Sequence, residues 1–258
     1  MEKESAGAKR RGIQSVGIGL RVLTALASQG GATNLTAIAQ AASLSASQAH
    51  RYLSSLIHAG MVKQEGRSGL YDLDAGTIRL GLAALSRIDI FAMADEAFTK
   101  LVEQSGRTCQ IAVLGDAGPT IIRWIDGSPP VITSQSIGSV LPPLRSATGR
   151  VFCAFASPAQ LQRVGKDVMD ADRKAVGRDI DDVLAQVRET GLAAVSGDLI
   201  PGLRAISGPV FDLQGRLVLV AAIIANDTFP VSGDEEAGRQ LLVACKELTE
   251  AVGGRWPL

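Results

Sequence analysis

A short stretch near the start of the chain constrains the fold most strongly. Apolar residues at helical spacing predict one helix over residues 35–42 and a second that begins near Ser45 and ends at Gly60. Only a tight turn at residues 42–44 separates them, and a glycine-rich turn at residues 66–69 between alternating segments predicts a β-hairpin. Helix, tight turn, helix and hairpin in this order predict a winged helix-turn-helix.

The length and charge of the chain indicate a second domain of a different kind. At 258 residues, 46% of them hydrophobic, the sequence suits two folded domains with separate cores. Residues 1–74 contain eight Lys or Arg and five Asp or Glu, a net charge of +3, and because the whole chain is neutral the remainder carries −3. A basic N-terminal domain followed by an acidic C-terminal domain is expected when only the N-terminal domain binds the phosphates of a nucleic acid.

The polar start of the second helix is the candidate DNA-reading surface, because that part of a recognition helix enters the major groove. The Gln48 amide can pair with adenine N6 and N7, and Arg51 can reach guanine or a phosphate. Arg67 lies at the tip of the predicted wing, and Arg10 and Arg11 form a basic arm that would add salt-sensitive affinity. The candidate DNA contacts are Arg10, Arg11, Thr36, Ser45, Ser47, Gln48, Arg51, Tyr52 and Arg67.

A second hypothesis is open on these patterns alone. Three helices and a hairpin also build modules that bind proteins, and exposed Gln and Arg side chains are often simply solvated. The chain would then be a sensory or interaction protein that does not bind DNA. Salt-dependent binding to duplex DNA separates the two hypotheses.

Four sequence blocks resemble the IclR-type transcriptional regulators. They are QSVGIGLRVLTAL, LTAIAQAASLSASQAHRYLSSLIHAGMVKQ, GLYDLDAGTIRLG and IDDVLAQVRETGLAAVSGDLIPGLRAISGPVFDLQGRLV, which together extend over nearly the whole chain. One departure is that Ala46 and Gln48 stand where many members have a basic residue and a Thr. The operator sequence is therefore expected to differ from theirs.

The resemblance implies an α+β chain with a winged helix-turn-helix, a linker helix and an effector-binding body similar to GAF and profilin-like α/β folds. It also implies double-stranded operator DNA and a small organic-acid effector as partners, and self-association as a dimer or a dimer of dimers. Such regulators act as repressors or activators, commonly of catabolic genes. The expected organisation is a disordered basic arm at 1–11, the DNA-binding domain at 12–74, a linker helix at 75–89 and the effector-binding domain at 90–258.

The body has the pattern of an α/β domain. Strands are predicted by β-rich runs between turn residues, and helices by apolar periodicity with glycine stops. Helices are predicted at 77–87, 90–104, near Thr148, at 179–190 and at 234–252, and strands at 108–114, 120–125, 193–196, 205–211 and 217–226.

The segment at residues 145–150 is the candidate effector site. It combines hydroxyls, small residues and a predicted helix start, whose N–H groups can bind a carboxylate. Alternatively its Ser and Thr merely cap the helix and its arginines are solvated. The resemblance implies that this segment and residues 198–204 line the pocket. The candidate effector contacts are Trp124, Arg145, Ser146, Ala147, Thr148, Gly149, Phe152, Asp198, Leu203 and Arg204.

The nature of the effector is only partly indicated. Related chains that bind small hydroxy or keto acids often have an acidic run where this chain has Val195, Ser196 and Gly197 before Asp198. A less polar effector, such as an aromatic acid touching Trp124 and Phe152, would suit this loss of carboxylates. These two aromatic residues are otherwise expected in the core.

An enzyme is not expected. Both histidines fall in the helix-turn-helix, far from Cys109, Cys153 and Cys245, so that no catalytic triad can be assembled. The widely spaced cysteines predict reduced thiols and no metal site, and no cofactor motif stands in the right context. No apolar run is long enough to span a membrane, and the chain is expected in the cytoplasm.

Overall fold

The computed structural model describes residues 13–162, 164–176 and 180–257. These residues form two units, the first ending at Ile88 and the second beginning at Asp89. The predicted basic arm at residues 1–11 lies outside the described residues, as does Asp179 at the start of one predicted helix. None of the described helices is both long and apolar enough to cross a membrane.

The first unit contains the helix-turn-helix and its wing. Asn34 begins the second helix by accepting a hydrogen bond from the Ala37 N–H at 2.9 Å. Asp74 caps the fourth helix, which therefore begins two residues earlier than expected, at Ala75. The elements are α1 (Gln14–Ala27), α2 (Leu35–Ala41), α3 (Ala46–His58), β1 (Val62–Gln64), β2 (Tyr71–Leu73) and α4 (Ala75–Leu85).

One apolar core holds the helices of this unit against the wing. The strands β1 and β2 pair antiparallel, and Thr33 joins them through two backbone hydrogen bonds with Tyr71 of 2.9 and 2.8 Å. Helix α3 turns Ala49 and Leu53 into the core, which leaves its polar residues facing outward. The core consists of Val22, Ala25, Leu26, Ile38, Ala42, Leu53, Val62 and Tyr71.

The second unit is a five-stranded antiparallel sheet between two layers of helices. The strand order is β4-β3-β7-β6-β5. Its elements are α5 (Ile90–Ser105), β3 (Thr108–Gly115), β4 (Gly118–Ile125), α6 (Ala147–Phe155), α7 (Pro158–Gln162), α8 (Lys166–Val176), α9 (Ile180–Thr190), β5 (Ala193–Ser196), β6 (Arg204–Phe211), β7 (Leu217–Ala225), a 3-10 turn (Val231–Gly233) and α10 (Asp234–Ala251).

The two faces of the sheet bury separate clusters. Helices α5 and α10 cover one face, where Phe98 and Leu241 pack on Ile111 of β3. Helices α6 and α9 cover the other, where Phe152 and Leu184 belong to the buried cluster. Because both faces are buried, strand β7 is apolar along its whole length.

The predicted α+β architecture is confirmed, with element ends shifted by only a few residues. Helices α7 and α8 had not been predicted. Most residues of α8 are charged or small, so that the apolar periodicity that reveals a helix is weak there.

Candidate functional site

The start of helix α3 is held by a reciprocal cap between Ser45 and Gln48. The Gln48 N–H donates to Ser45 Oγ at 3.2 Å, and Gln48 Oε1 accepts from the Ser45 N–H and hydroxyl at 3.3 and 3.2 Å. An adenine N6 would need this same Oε1 as its acceptor. Pairing with adenine therefore requires Gln48 to leave the cap, whereas its Nε2 donor remains available.

The other predicted DNA contacts are mostly exposed. Thr36, Ser47 and Arg51 lie on the surface of the two helices, and Arg67 lies in the turn of the wing. Tyr52 is half-buried and packs against the core of the first unit. Arg10 and Arg11 lie outside the described residues.

The second unit contains a small, partly open cavity of about 40 Å³ between the sheet and the start of α6. Of the residues described along its wall, none carries a charge. The wall is formed by Gln110, Gln135, Leu141, Ser146, Ala147, Thr148, Val195, Leu199, Ile200, Leu203, Ala205 and Ile224.

The strand register explains the polar contacts that Gln110 makes beside the cavity. Gln110 of β3 pairs with Ala222 of β7, which pairs with Ser207 of β6, so that the three residues form a row across the sheet. Since Ala222 is small, Thr148 reaches down from α6 between the other two. Its Oγ1 accepts a hydrogen bond from Gln110 Nε2 and contacts Ser207 Oγ, both at 3.2 Å.

The first turn of α6 supplies hydrogen-bond donors to this cavity. Ser146 caps the helix, accepting from the Gly149 N–H at 2.9 Å and donating to the Pro142 carbonyl at 2.6 Å. The Ala147 and Thr148 N–H groups have no acceptor among the described residues. Two free N–H groups at the positive end of a helix favour an anionic group such as a carboxylate.

Four of the ten predicted effector contacts line this cavity: Ser146, Ala147, Thr148 and Leu203. The other six make contacts elsewhere. Phe152 is buried among the residues packed under α6 and α9, as the alternative interpretation had it. Trp124 stands opposite Gln110 on β4 but lies outside the cavity wall, and its Nε1 donates to Asp126 at 2.9 Å.

Neighbouring residues of α6 serve to pack the segment rather than to line the cavity. The Arg145 side chain pairs with buried Asp172. A Cβ on Gly149 would lie 2.4 Å from both the Pro142 and the Pro143 carbonyl oxygens. Glycine is required there by this close approach.

Arg150 is fully buried, so that the alternative in which this arginine is solvated is wrong. Its guanidinium donates to the Leu144 and Ala194 carbonyls and to Asp198, the last at 2.6 Å. Asp198 therefore neutralises a buried cation instead of facing the cavity.

Arg204 belongs to a second ionic cluster, with Arg107 and Asp234. Arg204 Nε and Arg107 Nη1 donate to the two oxygens of Asp234 at 2.6 and 2.7 Å. Burial alone would raise the pKa of Asp234, but the hydrogen bonds from the two arginines outweigh it and hold that pKa below its ordinary value. The hydrogen bond to Asp234 likewise raises the pKa of Arg204.

Sequence reasoning missed half of the cavity wall, including Gln110 and Gln135. One signal was present, since Gln110 is a lone amide within the otherwise apolar core of β3. The apolar wall residues of β5, β6 and β7 carried no such signal, because buried strands are apolar wherever they lie.

The cysteines do not form a reactive site. All three are buried, and desolvation raises the pKa of Cys109 and of Cys153 to about 12. Among the residues that the structure describes, no group of three or more His, Cys, Asp or Glu could hold a metal ion.

Comparison with known proteins extends over both units. The family model "IclR helix-turn-helix domain" matches residues 15–66, and "Bacterial transcriptional regulator IclR C-terminal" matches residues 82–250. The chain is 30% identical to the acetate operon repressor of Salmonella typhimurium and to the transcriptional repressor IclR of Escherichia coli, in both cases over 94% of this chain and 91% of the relative. The crystal structure of Pseudomonas aeruginosa HmgR superposes with a TM-score of 0.82 at 31% identity, covering 94% of this chain and 99% of that one.

Proposed function

Because this chain belongs to the IclR family of DNA-binding transcriptional regulators, which are not enzymes, we propose that a small organic acid bound in its second unit controls its affinity for an operator. One observation carries the proposal. Ala147 and Thr148, whose N–H groups have no acceptor among the described residues, line a cavity without charged side chains among its described lining residues. A carboxylate would supply the acceptor and the negative charge that these donors lack.

The size and wall of the cavity favour an aliphatic acid over an aromatic one. A cavity of about 40 Å³ is smaller than a benzene ring needs, and neither Trp124 nor Phe152 lines it. The controlled genes are proposed to be catabolic. Support comes from relatives at 30% identity, one of them named for an acetate operon, and both named as repressors.

The DNA contacts are proposed to come from the exposed start of α3 and from the wing. Ser47 and Arg51 are free to reach bases and phosphates, and Arg67 can reach the backbone from the wing. Thr36, Ser45, Gln48 and the arm residues Arg10 and Arg11 complete the proposed contacts. Tyr52, being half-buried, would position the helix rather than read DNA.

Self-association is proposed to use the apolar residues that the first unit leaves exposed. Val16 and Leu20 form an exposed stripe on α1, and Ile78, Leu80 and Leu82 are exposed on α4. Exposed apolar surface of this extent marks an interaction site. A dimer, or a dimer of dimers, would cover it and present two recognition helices to successive major grooves.

The order of the parts suggests how the acid acts. Helix α4 joins the DNA-reading unit to the sensing unit along the chain. In the proposed dimer, acid binding would favour one arrangement of the two DNA-reading units over another. The resulting change in operator affinity is limited by how much more tightly the acid binds one arrangement than the other.

The experiment is a thermal-shift screen of small acids, followed by titration of an operator duplex selected from random sequence. An acid that binds only the native state must raise the melting temperature, and an effector must also change the operator affinity. The proposal fails if no acid raises the melting temperature. It also fails if none of the acids that raise it changes the operator affinity.

Ala147→Pro sharpens this test, because it removes one N–H at the first helical position, where proline is favoured. Ser146 already has the extended backbone, with φ −97° and ψ 147°, that a following proline requires. We expect acid affinity to fall by about tenfold or more, the value of a hydrogen bond to a charged group. Ala46→Pro makes the same change at the start of α3 and should leave acid binding unaltered.

A further inference from the structure

Gln110 has a buried amide oxygen that nothing in the described protein satisfies. Its side chain is 3% exposed, and its Nε2 donates to Thr148. Its Oε1 has no hydrogen-bond partner among the described residues. Among the described residues, one other buried side-chain nitrogen or oxygen lacks a hydrogen-bond partner, the Trp256 Nε1. Trp256 does not line the cavity.

A buried amide oxygen without a donor is costly, since it loses its hydrogen bond to water on folding. Native proteins satisfy nearly all such groups, so that each exception calls for a functional explanation. Gln110 lines the cavity, so that a molecule bound there lies beside its side chain.

The neighbouring hydroxyls do not supply the missing donor. The Ser146 hydroxyl donates to Pro142, the Thr148 and Ser207 hydroxyls contact each other, and none of the three bonds to Gln110 Oε1. A molecule that fills the cavity can supply this donor. The Ala147 and Thr148 N–H groups, in contrast, require an acceptor from the same molecule.

An O–H group and a carboxylate in one small molecule meet both needs. A keto oxygen could not form this hydrogen bond, because both it and Gln110 Oε1 are acceptors. An ammonium group would be a donor, but no Asp or Glu lies among the described lining residues, and the positive end of α6 opposes a cation.

We propose that Gln110 is a specificity-determining residue and that the molecule taken by this cavity is a hydroxy acid. Its carboxylate accepts from the Ala147 and Thr148 N–H groups, and its hydroxyl donates to Gln110 Oε1. This inference rests on the proposed function of the cavity as the effector site, and it adds the chemical group by which the effector is chosen.

The test compares acids that differ in one group. Calorimetric titration of the full chain would use glycolate and acetate, then lactate, propionate and pyruvate, with 4-hydroxybenzoate and benzoate as a larger pair. In every set that binds, we expect the hydroxy acid to bind at least about tenfold more tightly than its partners, since they leave the Gln110 oxygen unpaired.

The outcomes separate the two proposals. Acids that bind without preference for the hydroxyl, or with preference for the keto group, overturn the role of Gln110 and leave the cavity as the effector site. If no acid binds at all, the proposed function of the cavity fails and this inference fails with it.

A pair of variants assigns the preference to one residue. Gln110→Met keeps the length of the side chain and removes its oxygen, so that hydroxy and unsubstituted acids should then bind within about twofold of each other. Gln186→Met makes the same change at an exposed position of α9 outside the cavity wall and should keep the preference. A preference that survives Gln110→Met overturns the proposal, and if that variant does not fold, the ligand series on the unmodified chain still decides.

Discussion

Consecutive residues at the start of α6 do different physical work. Ser146 caps the helix, Ala147 and Thr148 face the cavity, Gly149 permits close packing and Arg150 binds a buried carboxylate. The sequence marks this segment as a helix start and a candidate anion site. The sequence does not show which residue of the segment has which role. The strands that α6 packs against are distant in sequence, and they decide which side of the helix meets the cavity.

Gly149→Ala tests the close approach at this segment. Its Cβ would lie 2.4 Å from two carbonyl oxygens of the backbone, which cannot move aside as a side-chain end could. We expect the free energy of unfolding to fall by about 2–3 kcal/mol, as for overpacked cores. Urea unfolding followed by tryptophan fluorescence measures it in the right unit, since both Trp124 and Trp256 lie there.

Gly238→Ala is the matched control, because it also changes a buried helical glycine of the second unit. The added Cβ would meet nothing nearer than 3.6 Å, an ordinary contact, and alanine is the better helix former. Its stability should be unchanged or slightly raised. Equal losses in the two variants would contradict the steric account of Gly149.

Among the elements, the loop between β5 and β6 depends on an ion pair at each end. Asp198 pairs with Arg150 near its start, and Arg204 pairs with Asp234 at its end. Between them, Leu199, Ile200 and Leu203 form part of the cavity wall. Sequence reasoning chose Asp198 and Arg204 for this region but as ligand contacts, since an ion pair between distant segments cannot be read from local pattern.

Asp198→Asn tests whether the Arg150 pair fixes this loop. The change leaves the buried Arg150 charge without its counter-ion, and we expect a loss of about 2–4 kcal/mol in the free energy of unfolding. Asp181→Asn is the control, because the Asp181–Arg173 pair is exposed and screened by solvent and therefore contributes little to stability. Acid affinity should fall in the first variant only, and the idea is wrong if the two behave alike.

For the whole molecule, the order of the domains along the chain was predictable from the sequence. Which apolar helix surfaces are buried within the single chain was not. The apolar periodicity of the linker helix correctly indicated a helix, and α1 shows the same periodicity. The same pattern indicates burial for Val16 and Leu20, which are 56% and 57% exposed in the single chain. A periodic apolar stripe looks alike whether its own chain or a second copy covers it.

The exposed stripes predict the behaviour of a double variant on α4. Ile78 and Leu82 lie four residues apart on one helix face, each about 60% exposed. Glutamate at both places should leave the monomer folded but disfavour association, because burying two carboxylates in an interface is costly. Sedimentation should then show monomers where the unmodified chain forms dimers, and operator affinity should fall at least about tenfold, because two half-sites are no longer bound together.

Acid binding should survive this change, since the cavity lies wholly in the second unit. Ile132→Glu, which alters a single, highly exposed apolar residue of that unit, should keep both assembly and operator affinity. An unmodified chain that sediments as a monomer, or a double variant that still dimerises, would place the contact between copies elsewhere. The α4 face would then require another explanation for its exposed leucine and isoleucine side chains.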